Sequence, residues 1–228
     1  MSPTAKQQLS DHIRFSVLSM HWAPGQDLDE STLSVQFGVS RTPLREVFRD
    51  LAAQGFLELR AHRTARVAEL GHQTLREFFQ AAPMIYAAIS RLAAENRHAD
   101  QLAQLSECQQ RFQLALAGSD PIARALANHD FHRQIAVMAN NRYLLPSFDR
   151  LAIDHTRIGK TFYRADADRE SPQIACQQHD DMIQAITAQQ GERAGQLAID
   201  HWNLSKHQFA QFVMPEGLSD SLGLGDNA

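Results

Sequence analysis

Hydrophobic residues recur every three or four positions along most of the chain, the spacing that gathers apolar side chains on one face of an α-helix. Residues 56–70 break this pattern, because apolar residues at both ends enclose a basic middle, which indicates two short strands joined by a turn. Segments rich in Gly, Pro or Asn separate the helical stretches. The pattern predicts helices at residues 5–20, 30–36, 41–54, 73–96, 99–117, 120–139, 142–163, 173–189 and 191–212.

The change of pattern near residue 70 predicts a mainly α protein with two domains. A small N-terminal domain would occupy residues 1–70, an all-α antiparallel bundle of six or seven helices residues 71–215, and a flexible tail residues 216–228. Pro83 falls inside one predicted helix, which would therefore kink or begin afresh at that position.

Composition and charge narrow the class of protein. No apolar run approaches the roughly 18 to 20 residues that span a bilayer, so we expect a cytoplasmic protein without membrane contact. Cys108 and Cys176 form neither a CxxC pair nor a disulfide framework and are expected to be packing residues. The net charge of −4 resides in residues 71–228, whereas residues 41–66 hold six arginines against three acids. This local excess of positive charge suits a nucleic-acid backbone.

The segment FGVSRTPLREVFRDL, residues 37–51, has the pattern of a helix-turn-helix unit. Ser40 suits the N-cap of the second helix and Gly55 suits its end. Three arginines, each four residues after the last, share one face of the second helix. This face differs from the apolar stripe, so the arginines can contact bases and phosphates. A solvated face paired with Glu46 and Asp50 is the alternative. We predict DNA contacts from Arg41, Thr42, Arg45 and Arg49, and from His62 and Arg63 at the tip of a wing.

Residues 24–70 resemble the winged helix-turn-helix of GntR-family bacterial transcription regulators. The run Ser-Arg-Thr-Pro-Leu-Arg-Glu that begins at Ser40 carries this resemblance. It implies a homodimer that binds double-stranded operator DNA, with two recognition helices in adjacent half-sites of a palindrome. Where the family usually has glycine after the basic wing-tip residue, this chain has Thr64, so the resemblance does not extend to a close approach of the wing backbone to DNA.

Three histidines lie on three different predicted helices of the bundle, each among apolar residues at helical spacing. They are His132, His179 and His201. Any one of them alone would be interpreted as a hydrogen-bonded core histidine. Imidazoles that converge from three helices form a site for a divalent metal. Spacing alone leaves both interpretations open.

The predicted bundle resembles the FCD ligand-binding domain of the FadR subfamily. Asn128-His-Asp-Phe-His132 on one helix, His179 on the penultimate helix and His201 on the last match its pattern. The resemblance implies that these three histidines bind a divalent metal, zinc or alternatively nickel or manganese. Asn128 stands where the family has a carboxylate, and a neutral amide is a poorer ligand. A small-molecule effector, expected to be a carboxylate, would occupy the open coordination positions.

The first bundle helix lacks the arginine and glutamate that the family often carries, having AAPMIYAA at residues 81–88. His155, Arg157 and Tyr163 are candidate replacements for effector binding, together with Lys160. We nevertheless expect each of them to lie at the surface.

These features predict a metabolite-responsive transcription regulator, a repressor released by its ligand. No general base or nucleophile motif accompanies the histidines, so no catalytic residue is predicted. Two alternatives stay open. One is a metal-dependent hydrolase or isomerase with an N-terminal interaction module. The other is a DNA-binding architectural protein with an inert bundle.

Overall fold

The fold is mainly α, as the hydrophobic pattern predicts. A computed structural model of the chain describes residues 3–60, 65–163 and 170–213. The predicted wing-tip residues His62 and Arg63, together with Thr64 and the tail at 216–228, lie outside the described residues. Within the described ranges, no helix is long and apolar enough to cross a membrane.

The N-terminal part consists of three helices and a β-hairpin. The two strands pair antiparallel, with Leu57 opposite Val67 and Leu59 opposite Ala65, which confirms the strand pair expected from the sequence. Helix α3 buries its apolar stripe against α1 and leaves its polar side outward. The elements are α1 (Ala5–Leu18), α2 (Glu30–Phe37), α3 (Arg41–Gln54), β1 (Leu57–Leu59) and β2 (Ala65–Val67).

Two glycines set the ends of the helix-turn-helix helices. Gly38 ends α2 with φ +62° and Gly55 ends α3 with φ +91°, backbone conformations that side chains with a Cβ rarely adopt. Ser40 occupies the N-cap of α3 as predicted, although its hydroxyl forms no capping hydrogen bond. The side chain of Asp29 caps α2 instead, accepting from the backbone N–H of the two residues that follow Glu30.

The C-terminal part is a bundle of six helices within the described residues. Helix α4 packs along α9, and α6 lies between α5 and α7. The helix restart considered at Pro83 is wrong, because α4 runs through that residue without interruption. The helices are α4 (His72–Asn96), α5 (Ala99–Ala117), α6 (Pro121–Met138), α7 (Leu144–Phe162), α8 (Glu170–Thr187) and α9 (Gly191–Val213).

Two apolar cores share one helix. The N-terminal core is built from α1, α2, α3 and the hairpin, and the larger core from the bundle. Among the described bundle residues, Ile153 of α7 alone belongs to the N-terminal core. Helix α7 therefore packs on both parts of the protein.

Candidate functional site

The outer side of α3 carries the side chains predicted to contact DNA. Arg41, Thr42 and Arg49 are exposed, and the side chain of Arg45 is 32% exposed with its Nε 3.4 Å from Glu30 Oε2. Four buried apolar residues hold the opposite side of the helix in the core. The structure therefore presents the basic face to the solvent.

A groove runs between this face and the hairpin. Thr42, Arg45 and Arg49 line one side, and Leu59 and Arg60 line the other. The sequence analysis missed Arg60, whose position at the end of β1 next to α3 depends on how the hairpin folds back. The groove adds a fourth arginine to the positive surface, which suits a phosphate backbone.

The sequence also allowed a solvated face on which Glu46 pairs with the arginines of α3. In the structure Glu46 forms its ion pair with Lys6 instead. Its Oε2 lies 2.9 Å from Lys6 Nζ, which holds the pKa of the Glu46 carboxyl below its usual range. Arg49 Nε donates to the carbonyl oxygen of Arg45 at 3.3 Å. The exposed arginines thus keep hydrogen-bond donors available for an external partner.

The three histidines of the bundle converge, although they come from α6, α8 and α9. His132, His179 and His201 are all buried, and each offers a ring nitrogen within 4.8 Å of the nitrogens of the other two. Their ring centroids are 4.7 to 5.1 Å apart. This spacing brings three imidazoles within reach of one ion.

Glutamine side chains orient two of these rings. His179 Nδ1 lies 3.0 Å from Gln109 Oε1, while the amide nitrogen of Gln109 donates to Asp180 Oδ1 at 2.9 Å. The second contact fixes which amide atom faces the ring, so His179 Nδ1 carries the proton. The lone pair of Nε2 is thereby turned inward, the role that outer hydrogen bonds usually have around metal ligands.

His201 is oriented in the same way, and it engages His132. Its Nδ1 donates to Gln178 Oε1 at 2.9 Å, which leaves its Nε2 as an acceptor. His132 Nε2 lies 3.2 Å from that atom and donates to it. His132 would have to move this proton to Nδ1 before its Nε2 could serve as a ligand.

Two buried acceptors near the cluster lack hydrogen-bond partners among the described residues, which suits atoms that bind a cation. His179 Nε2 and Asn128 Oδ1 have no hydrogen-bond partner among the described residues, although both are buried. Asn128 lies one turn before His132 on α6, on the same face of the helix. Buried polar atoms without partners are rare and destabilising. The residues therefore fit a divalent metal ion held by three imidazoles and one amide oxygen.

Burial keeps the imidazoles in the form that binds metal. It lowers the pKa of His132 and of His179 well below the usual range, and repulsion between the clustered rings adds to the effect. Burial also lowers the pKa of His201 to about 4. Neutral histidines do not have to release an extra proton when they bind a cation.

A fourth histidine lies beside the cluster. His155 on α7 is buried with its ring 5.8 Å from that of His132, and its Nδ1 is 2.5 Å from the hydroxyl oxygen of Tyr86. Burial lowers its pKa to about 3. The surface position expected for His155 is therefore wrong. Trp202 packs against it at 5.6 Å, and the indole nitrogen has no hydrogen-bond partner among the described residues.

The structure does not bring Arg157 and Tyr163 to the histidine cluster. Arg157 is buried and its guanidinium faces Asp154 and the carbonyl oxygen of Ala68. Tyr163 is buried with its ring 6.1 Å from that of Phe112, which itself packs on His179. The surface positions expected for both side chains are wrong, because α7 is covered by the rest of the bundle and by the N-terminal part.

Comparison with known families decides what kind of protein carries these two sites. The family "Bacterial regulatory proteins, gntR family" matches residues 5–67, and the FCD domain matches residues 77–204. The chain belongs to the GntR family, with an FCD-type C-terminal domain.

Relatives of this GntR-family chain support the assignment over most of its length. It is 32% identical over 153 residues, 66% of each chain, to a protein of Paenarthrobacter nicotinovorans named "Probable D-xylose utilization operon transcriptional repressor". It is 24% identical over 203 residues, 88% of each chain, to the "HTH-type transcriptional repressor RspR" of Escherichia coli K12. The fold matches the solved structure of E. coli McbR/YncC with a TM-score of 0.75 at 20% identity, covering 92% of this chain and 97% of that one.

The family assignment confirms a transcription regulator and not an enzyme. Members and named relatives of this GntR-family chain regulate transcription, so the hydrolase or isomerase alternative is set aside.

Proposed function

We propose that this GntR-family regulator belongs to the FadR subfamily and acts as a homodimeric repressor in the cytoplasm. It binds a palindromic operator through two recognition helices, and a small carboxylate released from or bound to the bundle changes its affinity for DNA. Such a change requires that the effector bind one arrangement of the DNA-binding parts more tightly than another.

The proposal depends on the convergence of three buried imidazoles. Two buried acceptors, His179 Nε2 and Asn128 Oδ1, have no hydrogen-bond partner among the described residues. His132, His179, His201 and Asn128 hold a divalent metal, for which zinc is the first candidate and nickel or manganese are alternatives. When bound, the ion supplies Lewis-acid positions at which a carboxylate can coordinate. Three imidazoles and one weak amide ligand leave room for that group.

The pocket walls would complete recognition of the effector. The indole N–H of Trp202 is a buried donor without a partner among the described residues, and His155 and Tyr86 form a hydrogen-bonded pair next to it. A carboxylate or hydroxyl group of the effector would accept from the indole. We assign no effector role to Arg157 or Tyr163.

The recognition helix contacts DNA through its exposed polar face. Arg45 and Arg49 line the groove beside the hairpin, where guanidinium groups can bond guanine edges. Arg41 and Thr42 lie at the N-terminal end of α3, where they can contact phosphates. His62 and Arg63 remain part of the proposed DNA contacts on the strength of the sequence.

Elemental analysis of the purified protein tests the metal site. We expect close to one equivalent of divalent metal in the wild type and none after His132→Ala with His179→Ala. His21→Ala, which alters an exposed histidine outside the bundle, is the matched control and retains the metal. Wild-type protein that stays metal-free after incubation with zinc and removal of excess ion contradicts the site.

Light scattering tests the proposed homodimer, and thermal shift tests the proposed carboxylate effector. The homodimer has roughly twice the 25.6 kDa mass of the chain, and a monomer at micromolar concentration contradicts it. A screen of small carboxylic acids against zinc-loaded protein identifies the effector class, because a ligand of the native state raises the melting temperature. An acid that stabilises the protein equally with and without zinc contradicts coordination at the metal.

A further inference from the structure

One face of α7 contacts the C-terminal ends of α1 and α3. Lys160 Nζ donates to the carbonyl oxygen of Ser19, the C-cap of α1, at 2.9 Å. The side chain of Arg150 covers Gly55, the C-cap of α3, so closely that it leaves no space for a Cβ at that position. Both helix ends expose carbonyl groups without intrahelical partners, and a cation stabilises such an end.

A buried ion pair lies at the centre of this face. Arg157 Nη1 is 3.0 Å from Asp154 Oδ1, and the two side chains are 0% and 4% exposed. Arg157 Nη2 donates to the carbonyl oxygen of Ala68, directly after β2, at 2.7 Å. Arg150 Nη1 contacts the other carboxylate oxygen of Asp154 at 3.0 Å. Asp154 thus joins two arginines that reach two different N-terminal elements.

Stability alone is a poor explanation for this pair. A charged pair buried in the interior contributes little compared with apolar residues of similar volume, because both charges lose their hydration. Arg157 Nε also lacks a hydrogen-bond partner among the described residues, so the guanidinium is incompletely satisfied. The pair instead provides directionality, because a planar guanidinium held by Asp154 can donate to a carbonyl oxygen in only a few positions.

We propose that Arg157, oriented by Asp154, is a positioning residue that fixes the DNA-binding domain on the bundle. We call Asp154, Arg157 and the Ala68 carbonyl group the interdomain clamp. Arg157 therefore acts on the placement of the N-terminal domain relative to the bundle and has no contact with an effector.

The clamp is also next to the histidine pocket. His155 lies between Asp154 and Arg157 in sequence and faces the opposite side of α7, where it packs beside His132. A shift of α7 at the pocket would therefore move the clamp as well. This extension rests on the proposed function, whereas the clamp itself does not.

Hydrogen exchange with mass spectrometry on full-length protein, freed of metal by a chelator, tests the clamp. The variant Arg157→Met with Asp154→Leu replaces both buried charges by apolar groups. Arg150, the second partner of Asp154, is 46% exposed and stays in contact with solvent. We expect amide exchange to accelerate about tenfold in residues 65–70 and at the end of α1, with exchange in α5 and α6 unchanged. Arg91→Met with Glu95→Leu, which removes a surface ion pair of α4, is the matched control and changes neither region.

Two results overturn the proposal. The first is that residues 65–70 of the double variant exchange at the same rate as in the wild type. The second is that exchange accelerates equally throughout the bundle, which would show a purely structural role. Arg157→Lys keeps the charge but removes the planar fork, and it tests the clamp if the double variant does not fold. We expect faster exchange in residues 65–70 with this variant too, and an unchanged rate there also overturns the clamp. Because all samples are metal-free, failure of the metal site leaves the outcome intact.

Discussion

At the scale of single residues, Asn128 is the most informative departure from the expected ligand set. Its buried Oδ1 has no partner among the described residues and faces the same side of α6 as His132. A carboxylate at this position would bind a cation more tightly than the neutral amide does.

We therefore expect Asn128→Asp to raise zinc affinity by at least about tenfold, and Asn128→Ala to lower it. Competition against a chelating dye at fixed pH measures both. Asn141→Asp, which alters an asparagine of the α6–α7 connection, is a control for the added charge alone. Equal affinities for Asn128→Asp and the wild type would show that Asn128 is not a ligand.

The buried histidines also make the metal-free protein sensitive to acid. Burial lowers the pKa of His201 to about 4 and that of His155 to about 3, whereas both return to about 6.5 on unfolding. Below pH 6.5 the unfolded chain therefore binds more protons than the folded one, and stability falls as the pH decreases.

Each such histidine removes about 1.4 kcal/mol of unfolding free energy per pH unit below its unfolded value, until the folded pKa is reached. We expect urea unfolding of metal-free protein to show a loss of roughly 3 kcal/mol or more between pH 7.5 and 5.5. His155→Phe should reduce the slope by about one proton. A slope unaffected by this substitution contradicts the assignment of His155 to the titrating core.

The convergence of the three histidines was predictable, but the side chains that orient them were not. Helical spacing and the family resemblance pointed to His132, His179 and His201. Gln109 lies 70 residues before His179 in sequence and on another helix. No local pattern distinguishes this glutamine from its solvent-facing neighbours in α5, so only the packing of α5 on α8 reveals its contact.

At the scale of elements, α3 is the helix through which we propose that the protein recognises DNA. Arg45 lies in the middle of its exposed face, in the groove beside the hairpin. A guanidinium that bonds a base contributes roughly 1 to 3 kcal/mol to discrimination.

We expect Arg45→Ala to weaken operator binding by about tenfold or more while the protein stays folded and dimeric. A gel shift with a fragment selected from the genome by the wild type measures this. Arg91→Ala, on the exposed surface of α4, is the matched control for loss of one positive charge. Unchanged affinity of Arg45→Ala would exclude this face of α3 as the recognition surface.

Helix positions followed from the sequence, whereas the environment of α7 did not. Every predicted helix exists, and most ends differ by one to three residues. Helix α7 starts at Leu144 because the side chain of Asn141 accepts from the backbone N–H of Tyr143 and Leu144, a capping bond that hydrophobic spacing cannot show. Polar residues on α7 suggested a solvent-facing side, but that side is covered by the N-terminal domain. The burial of Arg157 and the partial burial of Lys160 leave no periodic signal, because both side chains make polar contacts with the N-terminal part.

At the scale of the whole molecule, the junction between the two parts depends on a glycine as well as on the clamp. Gly55 has φ +91° and lies directly under the Arg150 side chain. Gly38 has a similar φ of +62° but has nothing within 4 Å of an added Cβ. Substitutions at the two glycines therefore distinguish the cost of backbone strain from the cost of losing the contact with Arg150.

We expect Gly38→Ala to cost about 1 kcal/mol through backbone strain, and Gly55→Ala to cost more because Arg150 must also leave its place. Urea unfolding measures the cost, and hydrogen exchange at residues 55–60 shows whether the junction loosens. Equal effects of the two substitutions would indicate that Arg150 does not contribute to the junction.

The chemistry of the histidine pocket has a consequence for what the molecule can sense. All four groups proposed as ligands, three imidazoles and one amide, are electrically neutral, and the described aromatic side chains around them carry no charge. A dication there would keep its full charge in a medium that solvates it poorly. An anionic acid would offset part or all of that charge, so each of the two species should favour the binding of the other. The regulator would then respond to metal and acid together more strongly than to either one alone.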